Sequence, residues 1–331
     1  MSESGRLSRR NFVGGSLAGA ALSGAAGKAL SAPPGDAGSR QGSPAAEKTA
    51  MPYGTIGGVS FSRLMLGGNL VGGFMHARDL KYVNRLFRAY VSEEKILDTF
   101  KLAEEHGVDT VLETGAAQVR QYNERYGGRM QIIPSIHPSL TNSDQDVKDE
   151  IRQKIDAGCA ALYVWGVAGD QLVRAGAIDR IAKAVELVKA EGLPAGVGGH
   201  SLEVPIACER AGVPCDFYVK TLHDDDYPSA TPKELRKEYI WLEGGDGWYD
   251  NMWCINPEET IEFMKTVAKP WIAFKILSAG AIHPRQGFAH AFDSGADFVG
   301  VGMFDFQVEE NCELVPRLVE RAKTRPRPWC G

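Results

Sequence analysis

The sequence predicts an α/β fold: one (β/α)8 TIM barrel over residues 51–331, with a long aromatic-rich loop after its sixth strand. Short apolar runs alternate with helical patterns eight times, which suits a closed parallel barrel. The runs are apolar on both faces, as strands buried between a core and a helix layer must be. No GxGxxG turn follows the first run, and a doubly wound open sheet, the competing arrangement, would place one there.

The predicted strands are Leu64–Gly68, Thr110–Glu113, Gln131–Ile136, Ala160–Trp165, Ala195–Gly199, Phe217–Thr221, Trp271–Ile276 and Phe298–Gly302, each bounded by Gly, Pro or polar residues. Amphipathic stretches separate them. Glu93–His106 places Ile96, Leu97, Phe100 and Ala103 on one face, and Ile178–Glu191 does the same with Ile181, Val185 and Val188. Ser92 is positioned to cap the first of these helices, with Glu93 and Glu94 complementing its dipole; Gly107 and Gly192 mark the two stops.

The first fifty residues read differently. Ser8-Arg9-Arg10-Asn11-Phe12, the weakly apolar Gly/Ala run from Val13 to Ala26 and the small-residue exit at Leu30-Ser31-Ala32 predict a twin-arginine signal peptide over residues 1–32. A disordered Pro/Gly/Ser-rich linker is expected over 33–50. The expected location is therefore periplasmic or secreted. The apolar run is too short to span a bilayer, and no later segment predicts a membrane span.

The chain carries 37 basic and 42 acidic residues, a formal net charge of −5, and six of the basic but only three of the acidic residues lie within the first fifty. The barrel is thus acidic and lacks a basic stripe, which argues against nucleic acid as a partner and leaves a small molecule. The six cysteines show no CxxC pairing, which argues against a zinc knuckle.

Three regions carry a family resemblance. Met51-Pro52-Tyr53-Gly54-Thr55-Ile56-Gly57 with Ser62-Arg63-Leu64-Met65-Leu66-Gly67-Gly68-Asn69 resembles the opening hairpin and first strand of the aldo/keto reductases. Leu162-Tyr163-Val164-Trp165-Gly166 through Val197-Gly198-Gly199-His200-Ser201 resembles their strands four and five. Gly302-Met303 through Val308-Glu309-Glu310-Asn311 resembles their last strand and helix. The resemblance implies a barrel, NADP as cofactor and carbonyl reduction by an Asp, Tyr, Lys, His set. This sequence departs at all four positions: Glu113-Thr114 replaces the Asp, Tyr122 and Tyr126 lie too far along for the Tyr, Ser135-Ile136-His137 replaces the Lys, and Trp165 replaces the His.

In such barrels chemistry gathers at the carboxyl ends of the strands. Those ends carry Asn69, Glu113, His137, His200, Lys220, His223 and Lys275. Glu113, His137, His200 and His223 form a candidate ligand set for a divalent metal, the alternative being histidines that bond loop carbonyls or move protons. Lys220 and Lys275 stand in apolar strands, where desolvation would favour Schiff-base or general-base chemistry; the alternative is an ion pair with Glu113 or Asp224–Asp226.

The loop from Asp224 to Asn256 carries Tyr227, Tyr239, Trp241, Trp248, Tyr249 and Trp253, which suits a lid over a sugar-like ligand. Asn69, Trp165, Trp248, Tyr249 and Trp253 are its candidate contacts. Ser278-Ala279-Gly280-Ala281 and Gly302-Met303-Phe304 occupy places where barrels bind phosphate, though Phe304 and Phe306 make the second apolar.

The expected function is an exported enzyme acting on a small polar carbonyl compound or sugar derivative by lyase, hydratase or isomerase chemistry. Lys220, Lys275, His200 and His223 are its catalytic candidates, with metal or lysine stabilising an enolate. An NAD(P)-linked oxidoreductase with an altered catalytic set and a non-catalytic periplasmic sugar-binding protein are the alternatives.

Overall fold

A computed structural model describes residues 50–74, 76, 81–237 and 252–331. The predicted signal peptide and linker, Ala50 apart, lie outside the described residues, as do Trp248 and Tyr249.

The chain opens with a hairpin, β1 (Tyr53–Ile56) and β2 (Val59–Ser62), turned at Gly57-Gly58, both at positive φ as a two-residue hairpin turn requires. Eight parallel strands then close a barrel: β3 (Leu64–Gly67), β4 (Thr110–Glu113), β5 (Gln131–Ile136), β6 (Leu162–Val164), β7 (Ala195–Gly199), β8 (Phe217–Thr221), β9 (Trp271–Phe274) and β10 (Phe298–Val301), with β10 pairing back onto β3. They match the predicted strands to within two residues at each end. The helices are α1 (Lys81–Tyr90), α2 (Glu93–Glu105), α3 (Ala116–Tyr126), α4 (Asp144–Asp156), α5 (Gly166–Arg174), α6 (Ile178–Ala190), α7 (Glu203–Ala211), α8 (Pro257–Met264), α9 (Pro284–Asp293) and α10 (Asp305–Arg321). Ser92 does cap α2, its hydroxyl accepting from the Lys95 N–H at 3.2 Å.

Alternate strand residues fill the barrel. Met65, Leu112, Ile133, Tyr163, Phe217, Val219, Ile272 and Phe298 form the interior, and Ile56 and Phe61 of the hairpin join it from below, so the amino-terminal end is plugged with side chains. A larger apolar shell packs strands against helices.

Beneath the barrel the tail of the chain forms a clasp. Asp297, fully buried, accepts from Arg325 at 2.7 Å, Arg327 at 2.6 Å and the backbone N–H groups of Trp271 and Cys330. Arg327 also donates to the carbonyls of Met264, Val267, Lys269 and Gly295. Arg63, at the foot of β3, donates to the Asp297 and Gly331 carbonyls, and both it and Arg325 lie over the Trp329 ring.

All six cysteines are free thiols. Among the described residues no helix is long and apolar enough to cross a membrane.

Candidate active site

The barrel is plugged below, so the open end is the carboxyl one, and there the strand ends converge on Lys275. β9 stops at Phe274 because Lys275 turns into the left-handed region at φ 59°; across the mouth Glu113, the last residue of β4, does the same at φ 87°. Both carry side chains where glycine is the usual occupant, a conformation costing on the order of 1–3 kcal/mol that persists when its surroundings impose it.

The Lys275 ammonium donates to His76 Nε2 at 2.7 Å and lies over the Trp253 ring at 4.6 Å and the Phe274 ring at 5.8 Å. Asn69 Nδ2 donates to the same His76 nitrogen at 3.2 Å. Two donors on Nε2 place the imidazole proton on Nδ1 and make His76 a neutral acceptor. Burial, then the charges of Lys275 and His200, push His76 down to about 2, so it does not compete with Lys275 for a proton.

Burial likewise pushes Lys275 down to about 8, against the opposing pull of the Glu113 carboxylate. Glu113 is itself raised by burial, while Lys275, the Trp165 N–H and His137 hold it down. Its Oε1 accepts from Trp165 Nε1 at 3.0 Å. Desolvation dominates both groups, so an acid and a base are brought towards one another's range.

On the β7 side His200 is buried against Phe274, ring centroids 5.4 Å apart. Its Nδ1 meets Asp170 Oδ2 at 2.8 Å, and Asp170 Oδ1 accepts from the backbone N–H groups of His200 and Ser201. Burial lowers the His200 pKa and Asp170 opposes that shift.

The structure therefore brings together Asn69, Glu113, Trp165, His200, Trp253 and Lys275 from the expected set. It adds His76, Asp170 and Phe274, which strand-end reading passed over. His76 lies in a loop with no strand pattern around it. Asp170 lies inside α5, away from any strand end, and no spacing along the chain signals it.

The other candidates lie elsewhere. His137 leans outward to α4, its Nδ1 paired with Glu150 at 2.6 Å and its ring beside Trp165. His223 anchors a strap: its Nε2 accepts from the Trp253 and Cys254 N–H groups and its Nδ1 donates to the Asp224 carbonyl. Burial pushes it down to about 4, so it is neutral in this role. Lys220 points into the packing beside that strap, donating to the Thr221 carbonyl and hydroxyl.

These placements separate the four expected metal ligands. Among the described residues no three His, Cys, Asp or Glu side chains gather into a group that could hold a metal ion. After β10, where a barrel would hold a cofactor phosphate, stands Asp305, with Lys95 and Tyr90 already bound to its carboxylate and the Phe304 N–H taken by Gln307. Tyr122 is on α3, outside the barrel, donating to Glu104.

No family model matches the sequence. No curated protein matches it. Solved structures do resemble the fold. A Pseudomonas aeruginosa protein assigned to the aldo-keto reductases superposes with a TM-score of 0.55 at 14% identity, over 81% of this chain and 95% of its own. Gox0644 in its apo form gives 0.52 at 12% identity, over 82% and 94%. A mandelate oxidase complex gives 0.46 at 15%, over 85% and 80%. The expected likeness to the aldo/keto reductases thus holds for the barrel itself.

Proposed function

We propose that this barrel is an enzyme for a small polar carbonyl compound or sugar derivative, and that Lys275 forms a Schiff base with the carbonyl carbon. The observation that carries the reading is Lys275 itself: a partly buried amine at a strand end, lowered to about 8, with a neutral imidazole taking one of its N–H bonds. At pH 7 a lysine of that pKa is roughly 300-fold richer in free amine than an ordinary one. The amine lone pair adds to the carbonyl carbon, the oxygen leaves as water, and the resulting iminium accepts the electron pair left when an adjacent C–H loses its proton. That step is common to lyase, dehydratase and isomerase chemistry. Trp165 offers a flat apolar face and Asn69 and Glu113 offer polar contacts, a mixture suited to a hydroxylated substrate, while the buried Trp253 ring backs Lys275.

Incubation with dihydroxyacetone and sodium cyanoborohydride is expected to add one reduced adduct per chain, mapped to Lys275 by peptide mass spectrometry. The Lys275→Met protein should add none. Labelling spread evenly over surface lysines would reject the reading.

Export by the twin-arginine route belongs to the same proposal and rests on Ser8-Arg9-Arg10-Asn11-Phe12 and the apolar run behind it. Replacement of both arginines by lysine is expected to hold the protein in the cytoplasmic fraction; unchanged export would refute the route.

A further inference from the structure

We propose that Asp170 is a positioning residue that fixes His200 as its Nδ1–H tautomer, making Nε2 the proton acceptor of the mouth. The geometry begins with glycines. α5 lies flush on β7: a Cβ on Gly169 would stand 2.2 Å from the Gly198 carbonyl oxygen, and one on Gly198 would stand 2.7 Å from the Val164 carbonyl oxygen and 2.9 Å from the Gly166 nitrogen. Nothing larger than hydrogen allows that approach, and it carries the first turn of α5 to the end of β7. One residue beyond Gly169, Asp170 meets the turn that follows β7.

There its carboxylate is fully engaged. Oδ1 accepts the His200 and Ser201 N–H groups at 2.9 and 3.0 Å, and Oδ2 faces His200 Nδ1 at 2.8 Å. Both side chains are nearly inaccessible, 3% exposed for Asp170 and 5% for His200. An ionised carboxylate only accepts, so the ring nitrogen facing it must carry the hydrogen in the neutral imidazole. Nε2 is then the basic nitrogen, and His200 is close enough to Lys275 and His76 for their charges to act on one another. A carboxylate behind a histidine also stabilises the imidazolium that forms on proton uptake. The inference rests on the Schiff-base reading only for which proton is moved: the one beside the iminium carbon. The tautomer claim stands apart from it.

Nitrogen-15 NMR of the histidine-labelled full chain, with His200 assigned from the His200→Gln protein, reads which ring nitrogen is protonated. Nδ1–H alone is expected at neutral pH. Nε2–H, or an exchanging mixture, overturns the proposal, and this wild-type reading needs no variant of Asp170 to fold. In Asp170→Asn the single oxygen keeps the two backbone N–H groups and the amide donates to Nδ1, so His200 is expected to flip to Nε2–H. An unchanged tautomer in the folded variant also overturns it.

The same variant is expected to keep cyanoborohydride trapping at Lys275 while exchange of dihydroxyacetone C–H protons with deuterated solvent slows at least ~100-fold. Undiminished exchange with a flipped tautomer removes the acceptor role. Absent trapping in the wild-type protein rejects the Schiff-base reading and leaves the tautomer result to decide on Asp170.

Discussion

Glu113 and Lys275 hold left-handed backbone conformations on strands facing each other across the mouth, and each shifts the other's proton affinity. The Glu113 carboxylate favours the ammonium, so its removal should lower Lys275 further. Competitive acetylation of Lys275 as a function of pH is expected to give an apparent pKa near 8 in the wild-type protein and a lower value in Glu113→Gln. A rise would mean that the carboxylate acts on some other group. Lys275 binds its proton less tightly folded than unfolded, so stability gains with rising pH between about 8 and the ordinary lysine value. His223 belongs to a different kind of residue, one whose ring is consumed by structure. Its Nε2 holds two backbone N–H groups, so His223→Ala strands both and should cost about 1–3 kcal/mol for each, read by denaturant unfolding.

The elements divide by how local their causes are. The eight strands were legible because each is a short apolar run between polar or glycine stops, and a buried parallel strand needs no more than that. α2 and its Ser92 cap were legible for the same reason. The site was less so. Lys275, Glu113 and His200 could be found because strand order fixes which ends share a mouth, and Trp253 because its loop is rich in aromatic residues. His137, Lys220 and His223 also stand at strand ends, but sequence does not say that α4 offers Glu150 to the first or that the strap at 252–254 claims the other two. His76 and Asp170 depend on contacts across the fold that spacing along the chain cannot report. α5 on β7 is the element pair most sensitive to volume. Gly169→Ala drives a methyl into the Gly198 carbonyl, where backbone faces backbone and no side chain can give way. A loss of at least about 3 kcal/mol in urea unfolding is expected, together with loss of the His200 tautomer.

At the scale of the molecule, the clasp under the barrel gathers β9 and the tail onto the Asp297 carboxylate, and ties the foot of β3 to the Asp297 backbone carbonyl through Arg63. Arg327→Ala removes a buried guanidinium that serves Asp297 and four carbonyls, and should cost about 3–5 kcal/mol. In a domain of this size that lowers Tm by on the order of 10 °C, measurable by calorimetry. An unchanged Tm would mean that water replaces the guanidinium at no loss. The clasp and the β3–β10 pairing also set a timetable. Arg63 bonds to a residue 268 positions later, and β3 has no second neighbour until residues 298–301 arrive. During synthesis the earlier strands can pair in order, yet the growing sheet keeps one raw edge at β3 and another at its newest strand. Closure must await the emergence of residues 298–301 from the ribosome, and until then both edges can capture a neighbouring chain, so that a holding chaperone would decide the yield.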